Sequence, residues 1–132
     1  MIKKIFFLLI IFICYNLNAQ VQDDFSDGNF ITNPTWIGDD TYFEVLNNEL
    51  HLNAPAAADR AHLSTGSSSI SNTEWQVLIR LEFMTSNSNH ARIYLVSDQS
   101  DMEDSLKGYF IKIGGTEDEV SLYRQDGFTE TE

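Results

Sequence analysis

Three histidines, twenty acidic side chains and a short series of basic and aromatic residues are the groups in this 132-residue chain whose chemistry could make a site. His51, His62 and His90 stand in separate segments, without the His-x-x-x-His spacing that sets two imidazoles on one helix face around a metal. Nucleophilic catalysis lacks its parts: there is no Gly-x-Ser-x-Gly turn, and the single cysteine, Cys14, lies inside an apolar N-terminal run. Gly114-Gly115 follows a strand-like run but opens no helix, so it lacks the converging amides and dipole of a phosphate cradle. Glycoside hydrolysis needs two carboxylates flanking the bond, about 5 to 9.5 Å apart. The acidic runs Asp101-Met102-Glu103-Asp104 and Glu117-Asp118-Glu119 fall between strand-like segments, where such residues are solvated turn formers. The chain is therefore expected not to be an enzyme.

Two sets of residues fit binding instead. Hard cations take oxygen ligands clustered in a loop, and Asp24, Asp27 and Asn29 around Gly28 supply such oxygens, a candidate site for a structural calcium. The same residues also cap their own backbone in turns. The second set depends on which way strand residues point, so the elements must be placed first.

Apolar residues recur at every second position in short runs bounded by turn residues, and nowhere at the three-and-four spacing of a helix. The clearest run is 74–83, with Trp75, Val77, Ile79, Leu81 and Phe83 in one row and Glu74, Gln76, Leu78, Arg80 and Glu82 in the other. A second covers 90–97, with Ala91, Ile93 and Leu95 inward and Arg92, Tyr94 and Val96 outward. Then come 108–113, with Tyr109, Ile111 and Ile113 alternating against Phe110 and Lys112, and 119–124, with Val120 and Leu122 inward. These four are expected to form an antiparallel meander. Upstream, 42–46 and 49–52 flank Asn47-Asn48, two residues that tolerate the positive φ of a two-residue hairpin turn. A further short strand is expected at 61–64, after a link at 54–59. About eight short strands predict one all-β domain, a two-sheet antiparallel sandwich, since a single open sheet would leave an apolar face in water. The jelly roll is the specific form expected. Asp126-Gly127 reads as the centre of a hairpin turn with only five residues after it, so the sandwich is expected to be incomplete at its C-terminal end.

If the Trp75 row is core, then Gln76, Arg80, Arg92, Tyr94, Lys112 and Tyr123 point outward, and on adjacent strands they form one surface. Aromatic rings stack on sugar faces, and amide or charged groups fix hydroxyls. Four of the six basic residues beyond the leader, Arg80, Arg92, Lys112 and Arg124, lie on these strands, a bias that favours an acidic or highly hydroxylated polysaccharide.

The N-terminus has its own logic. Lys3 and Lys4 precede an uninterrupted apolar run from Ile5 to Tyr15, and Asn16-Leu17-Asn18-Ala19 follows, the layout of a secretory signal. A membrane-crossing helix needs about 20 apolar residues, so residues 1–19 are expected to be cleaved and not to anchor. Removing them leaves residues 20–132 with six basic and twenty acidic side chains, a net charge of −14, and no cysteine. Such a domain relies on core burial without disulfides, and its field repels nucleic acid and anionic lipid. The expected location is the cell exterior or surface, with no membrane insertion once the leader is gone.

Asp23-Asp24-Phe25-Ser26-Asp27-Gly28-Asn29-Phe30, Asn33-Pro34-Thr35-Trp36 and Gly38-Asp39 open a pattern. It continues with Arg92-Ile93-Tyr94-Leu95-Val96-Ser97-Asp98, Gly108-Tyr109-Phe110, Ile113-Gly114-Gly115 and Ser121-Leu122-Tyr123-Arg124-Gln125-Asp126-Gly127. Together these resemble the N-terminal region of large secreted Bacteroidota surface proteins that carry a lamin-tail-type domain or a sorting segment further along. The region is also similar to concanavalin A-like lectin/glucanase sandwiches. The resemblance implies a non-catalytic, extracellular accessory module for carbohydrate, with downstream domains of a longer protein as its partners. It lacks the Glu-x-Asp-x-x-Glu strand of laminarinase-like relatives. The alternatives are a structural or adhesive spacer and, third, a degenerate or incomplete glycoside hydrolase.

Overall fold

The structure, a computed structural model, describes residues 21–55 and 60–132; the expected leader, 1–19, lies outside the described residues, as do positions 56–59 of the expected link. Among the described residues there is no α-helix, only one turn of 3-10 helix at Asp40–Tyr42, and the regular structure is antiparallel β. This is the all-β class the alternation predicts, in an arrangement consistent with a two-sheet sandwich.

Strand β1 (Ile37–Gly38) pairs with β4 (Leu63–Ser64), and β2 (Phe43–Leu46) pairs with β3 (Glu49–Leu52). The β2–β3 hairpin turns on Asn47 and Asn48, with φ of 54° and 62°. Positive φ at both central residues is what a tight hairpin with right-twisted strands demands, and Asn tolerates it better than most residues. Asp39 and His62 extend the β1–β4 pair: the Asp39 backbone N–H donates to the His62 carbonyl at 3.0 Å, and the Asp39 carboxylate accepts the His62 backbone N–H at 2.9 Å.

The largest unit is a four-stranded sheet of β5 (His90–Ser97), β6 (Leu106–Gly114), β7 (Glu119–Gly127) and β8 (Thr129–Thr131), in sequence order. The expected turn at Asp126-Gly127 is present one residue later. Pairing of Lys107 with Asp126 and Leu106 with Gly127 carries β7 to Gly127, and Gly127-Phe128 then turns the chain into β8. Gly127 supplies the positive φ, 66°, and Asp126 faces Thr129 across the turn. The returning strand thus exists, three residues long.

Two expectations are corrected. The run 74–83 is not a strand: among the described residues it makes no main-chain hydrogen bond to another segment, and both of its rows meet solvent. Trp75 is 44% exposed, Val77 59% and Leu78 99%. Alternation fits a chain to a pleat, but a strand exists only when a partner takes its N–H and C=O groups, and none lies alongside here.

The inward and outward faces of the meander are also exchanged. Cross-strand register puts Ala91, Ile113 and Val120 on one face with Ile93, Ile111 and Leu122, as expected, yet Val120 is 69% and Leu122 54% exposed. The opposite row of β6 holds the buried residues Leu106, Gly108, Phe110 and Gly114, with Phe110 completely covered. Phe110 is enclosed by its own cross-strand neighbours, Tyr94 and Tyr123, whose rings lie 4.9 and 5.2 Å away. Large side chains flanking one another across strands bury area without a second layer. A bulge adds to the exchange: Tyr94 faces Phe110 but Val96 faces Tyr109, so Leu95 is the extra residue and Val96 joins the aliphatic face instead of the outward one.

Candidate functional site

The site grows from the middle of the four-stranded sheet. Arg92, Lys112 and Ser121 stand opposite one another on β5, β6 and β7, and the next matched row on that face is Tyr94, Phe110 and Tyr123. Four of the six expected ligand residues, Arg92, Tyr94, Lys112 and Tyr123, are therefore brought together on one face. Gln76 and Arg80 are not. They stand on 74–83, where Gln76 donates to Glu74 at 2.7 Å and Arg80 pairs with Glu49 and Glu82, each at 3.0 Å.

Within the cluster the guanidinium of Arg92 lies over the Phe110 ring, 4.9 Å from its centroid, and pairs through Nη1 with Glu130 Oε1 at 2.6 Å. Its Nε–H donates to His90 Nε2 at 3.2 Å. Burial opposes the charge on Arg92, but the hydrogen bond and charge of Glu130 outweigh it and hold the guanidinium above its ordinary pKa. Burial and the positive charges of Arg92 and Lys112 push His90 the other way, toward the neutral imidazole. The Tyr94 hydroxyl donates to Gln125 Oε1 at 2.6 Å, and Gln125, itself buried, donates to the Gly127 carbonyl at 2.9 Å. Burial raises the pKa of Tyr94, so the phenol stays a donor.

Arg92 and Tyr94 are thus engaged by the fold. The groups left facing outward are the Lys112 ammonium, 5.8 Å from the centroid of the Tyr123 ring, and the Tyr123 ring and hydroxyl, the last donating to Glu132 at 3.2 Å. Such an arrangement offers a π face, a cation and a carboxylate side by side, the groups that grip a polyhydroxylated ring. Sequence reasoning missed Glu130, Gln125 and His90. His90 was legible, since it falls two residues before Arg92 on the same face of β5. Glu130 and Gln125 depend on the β7–β8 turn falling at Gly127-Phe128.

On the opposite face a hollow of about 360 Å³ is lined by Tyr109, Leu122, Arg124, Thr131 and Glu132. It lies at the β8 end of the aliphatic surface.

Asp24, Asp27 and Asn29 form successive local turns. Asp24 Oδ1 accepts from the Ser26 backbone N–H at 3.0 Å and from its hydroxyl at 2.6 Å, and these bonds hold its carboxyl below the ordinary range. Asp27 Oδ1 accepts the Asn29 N–H at 3.1 Å, and Asn29 Oδ1 accepts the N–H groups of Ile31 and Thr32 at 3.0 and 2.9 Å. In this conformation the Oδ1 atoms cap turns one after another along the chain. No group of three or more His, Cys, Asp or Glu able to hold a metal occurs among the described residues.

His62 bridges two loops, its Nδ1 3.1 Å from Asp39 and its Nε2 3.7 Å from Asp101, while His51 lies 3.5 Å from Glu49. Neither histidine approaches His90's cluster in any of these contacts. Among the described residues no helix is long and apolar enough to cross a membrane. Compared with protein-family models, with curated proteins and with solved structures, the chain matches none.

Proposed function

We propose that this chain is a non-catalytic binding module of an exported or cell-surface protein, and that it holds carbohydrate on the Arg92–Tyr94–Lys112–Tyr123 face. The observation that carries the reading is the shared register: four basic and aromatic residues, chosen for sugar-binding chemistry, lie in two adjacent rows of one sheet face around Phe110. In this reading Arg92 and Tyr94, pinned by Glu130 and Gln125, position the face, and Lys112 and Tyr123 touch the ligand. A cation beside an aromatic plane in an otherwise acidic chain selects acidic or heavily hydroxylated polysaccharide. The jelly-roll form, the Bacteroidota surface-protein setting and the downstream domains belong to the same proposal and rest on the sequence resemblance alone.

Affinity electrophoresis through gels containing acidic or neutral polysaccharides tests it. The chain should be retarded by at least one, and Lys112→Gln with Tyr123→Ala should remove the retardation while the far-ultraviolet circular dichroism spectrum stays that of the parent. Unretarded migration in every gel, or equal retardation of the double variant, rejects the carbohydrate face.

A second reading, a structural or adhesive spacer, is favoured by a different observation: the aliphatic face of the same sheet, with Tyr109, Val120 and Leu122, is open to solvent. Exposed apolar patches of this kind mark contact with other protein.

A further inference from the structure

The run 74–83 combines a strand's sequence with the absence of any strand partner among the described residues. It has neither Gly nor Pro across ten residues, and Trp75, Val77, Leu78, Ile79 and Phe83 are all exposed. Long apolar edges of this sort are the ones that folded proteins cover or blunt, because their open N–H and C=O groups template pairing with another strand. Glu74, Arg80 and Glu82 are the charges inside the run, and Arg80 pairs with Glu82 and with Glu49, each at 3.0 Å.

What the partner is follows from the sequence of the run itself. We propose that residues 74–83 pair antiparallel with the same residues of a second copy of this chain, about a two-fold axis through Ile79. In that register Ile79 faces Ile79, Val77 faces Leu81 and Trp75 faces Phe83, so the apolar row meets itself without a gap. On the other face Leu78 meets Arg80 and Gln76 meets Glu82, with no like charges opposite. Moving the axis to Arg80 places Arg80 against Arg80. Moving it to Leu78 places Glu74 against Glu82 twice. Placing it between residues sets the apolar row against the polar one, a one-residue slip that exchanges faces. Like charges directly opposite destabilise a pair of strands, whereas aromatic and β-branched pairs stabilise it. Axes through Val77 or Leu81 also avoid like charges but pair fewer residues of the run, so the register centred on Ile79 is selected. A symmetric two-fold contact of this kind is self-complementary and closes at two copies. The chain's net charge of −12 opposes association at long range. At physiological ionic strength that repulsion is screened beyond about 8 Å, so added salt strengthens the dimer.

The register can be read by cross-linking the full chain carrying Cys14→Ser, which leaves an introduced thiol as the only one. Facing residues of antiparallel strands have Cα atoms about 4.5 to 5.5 Å apart, within disulfide reach. Under mild oxidation Ile79→Cys should form a disulfide dimer with itself. Val77→Cys and Leu81→Cys should each stay monomeric alone and cross-link when mixed. Association through the apolar leader would not reproduce this pattern. Ile79→Lys should weaken the association at least tenfold in sedimentation equilibrium, with its circular dichroism unchanged. A chain that sediments as a monomer, or thiols that cross-link equally at 77, 79 and 81, overturns the proposal. So does protection of this run by a different chain with no self-pairing.

Discussion

Strand β5 and the run 74–83 are written in the same alternation, yet one is the edge of a four-stranded sheet and the other has no strand partner among the described residues. The difference lies outside both segments. Downstream of β5 comes β6, which returns to it through the loop after Ser97, where Asp98 accepts the Lys107 backbone N–H at 2.6 Å and donates its own N–H to the Lys107 carbonyl at 3.0 Å. The run 74–83 is followed by the tight turn at Ser86–Asn89, where the two residues exchange backbone hydrogen bonds at 2.9 and 3.1 Å, but the ladder does not continue beyond them. Thr85 leaves instead for the β6–β7 turn, where its hydroxyl meets the Gly115 carbonyl at 3.2 Å and the Asp118 carboxylate. Alternation specifies which side chains share a face; it does not specify a neighbour.

That comparison can be broken most directly at its buried end. Phe110→Ala removes the ring at the centre of the paired sheet and should cost about 3 to 5 kcal/mol in urea unfolding, because Tyr94, Tyr123 and Arg92 are left around a hole. A loss below 1 kcal/mol by the same scale would mean the aliphatic face is the core after all. Arg92→Ala comes next, at about 1 to 2 kcal/mol, since it removes a part-buried cation from over Phe110 and strands Glu130. Glu130→Gln, which keeps a hydrogen-bond acceptor for Arg92, should cost less than Arg92→Ala in the same measurement. The smallest effect belongs to the unpaired run: Trp75→Ala should change the unfolding free energy of the monomer by about 1 kcal/mol or less, as expected for a side chain open to solvent. A larger loss would show that 74–83 is a packed strand.

Local features were legible in the sequence. Asn47-Asn48 set the β2–β3 turn through a conformational preference that needs no distant contact, and β5 runs over the very residues, His90–Ser97, that the alternation marked. The juxtaposition of Arg92, Tyr94, Lys112 and Tyr123 was legible too, because consecutive hairpins bring sequence neighbours into register. What could not be read was which face is covered. Both rows of β6 contain large apolar groups, Phe110 in one and Tyr109, Ile111 and Ile113 in the other, and the choice between them is made by Tyr94, Tyr123 and Glu130 on other strands. Burial is a property of neighbours remote in sequence, as is the pairing that 74–83 lacks.

The extra residue at Leu95 has a consequence for how this sheet tolerates changes in chain length. Upstream of it, even positions of β5 look toward Phe110; downstream, Ser97 faces Gly108 on that same side, so the parity of the strand reverses there. Loss of one residue elsewhere in the strand would force the stretch between it and the bulge to turn over, carrying side chains such as Tyr94 or Ser97 to the opposite surface. Single-residue deletions scanned along 90–97 should therefore be tolerated least on either side of the kink and best at Leu95 itself, where removing the surplus residue leaves both halves in place.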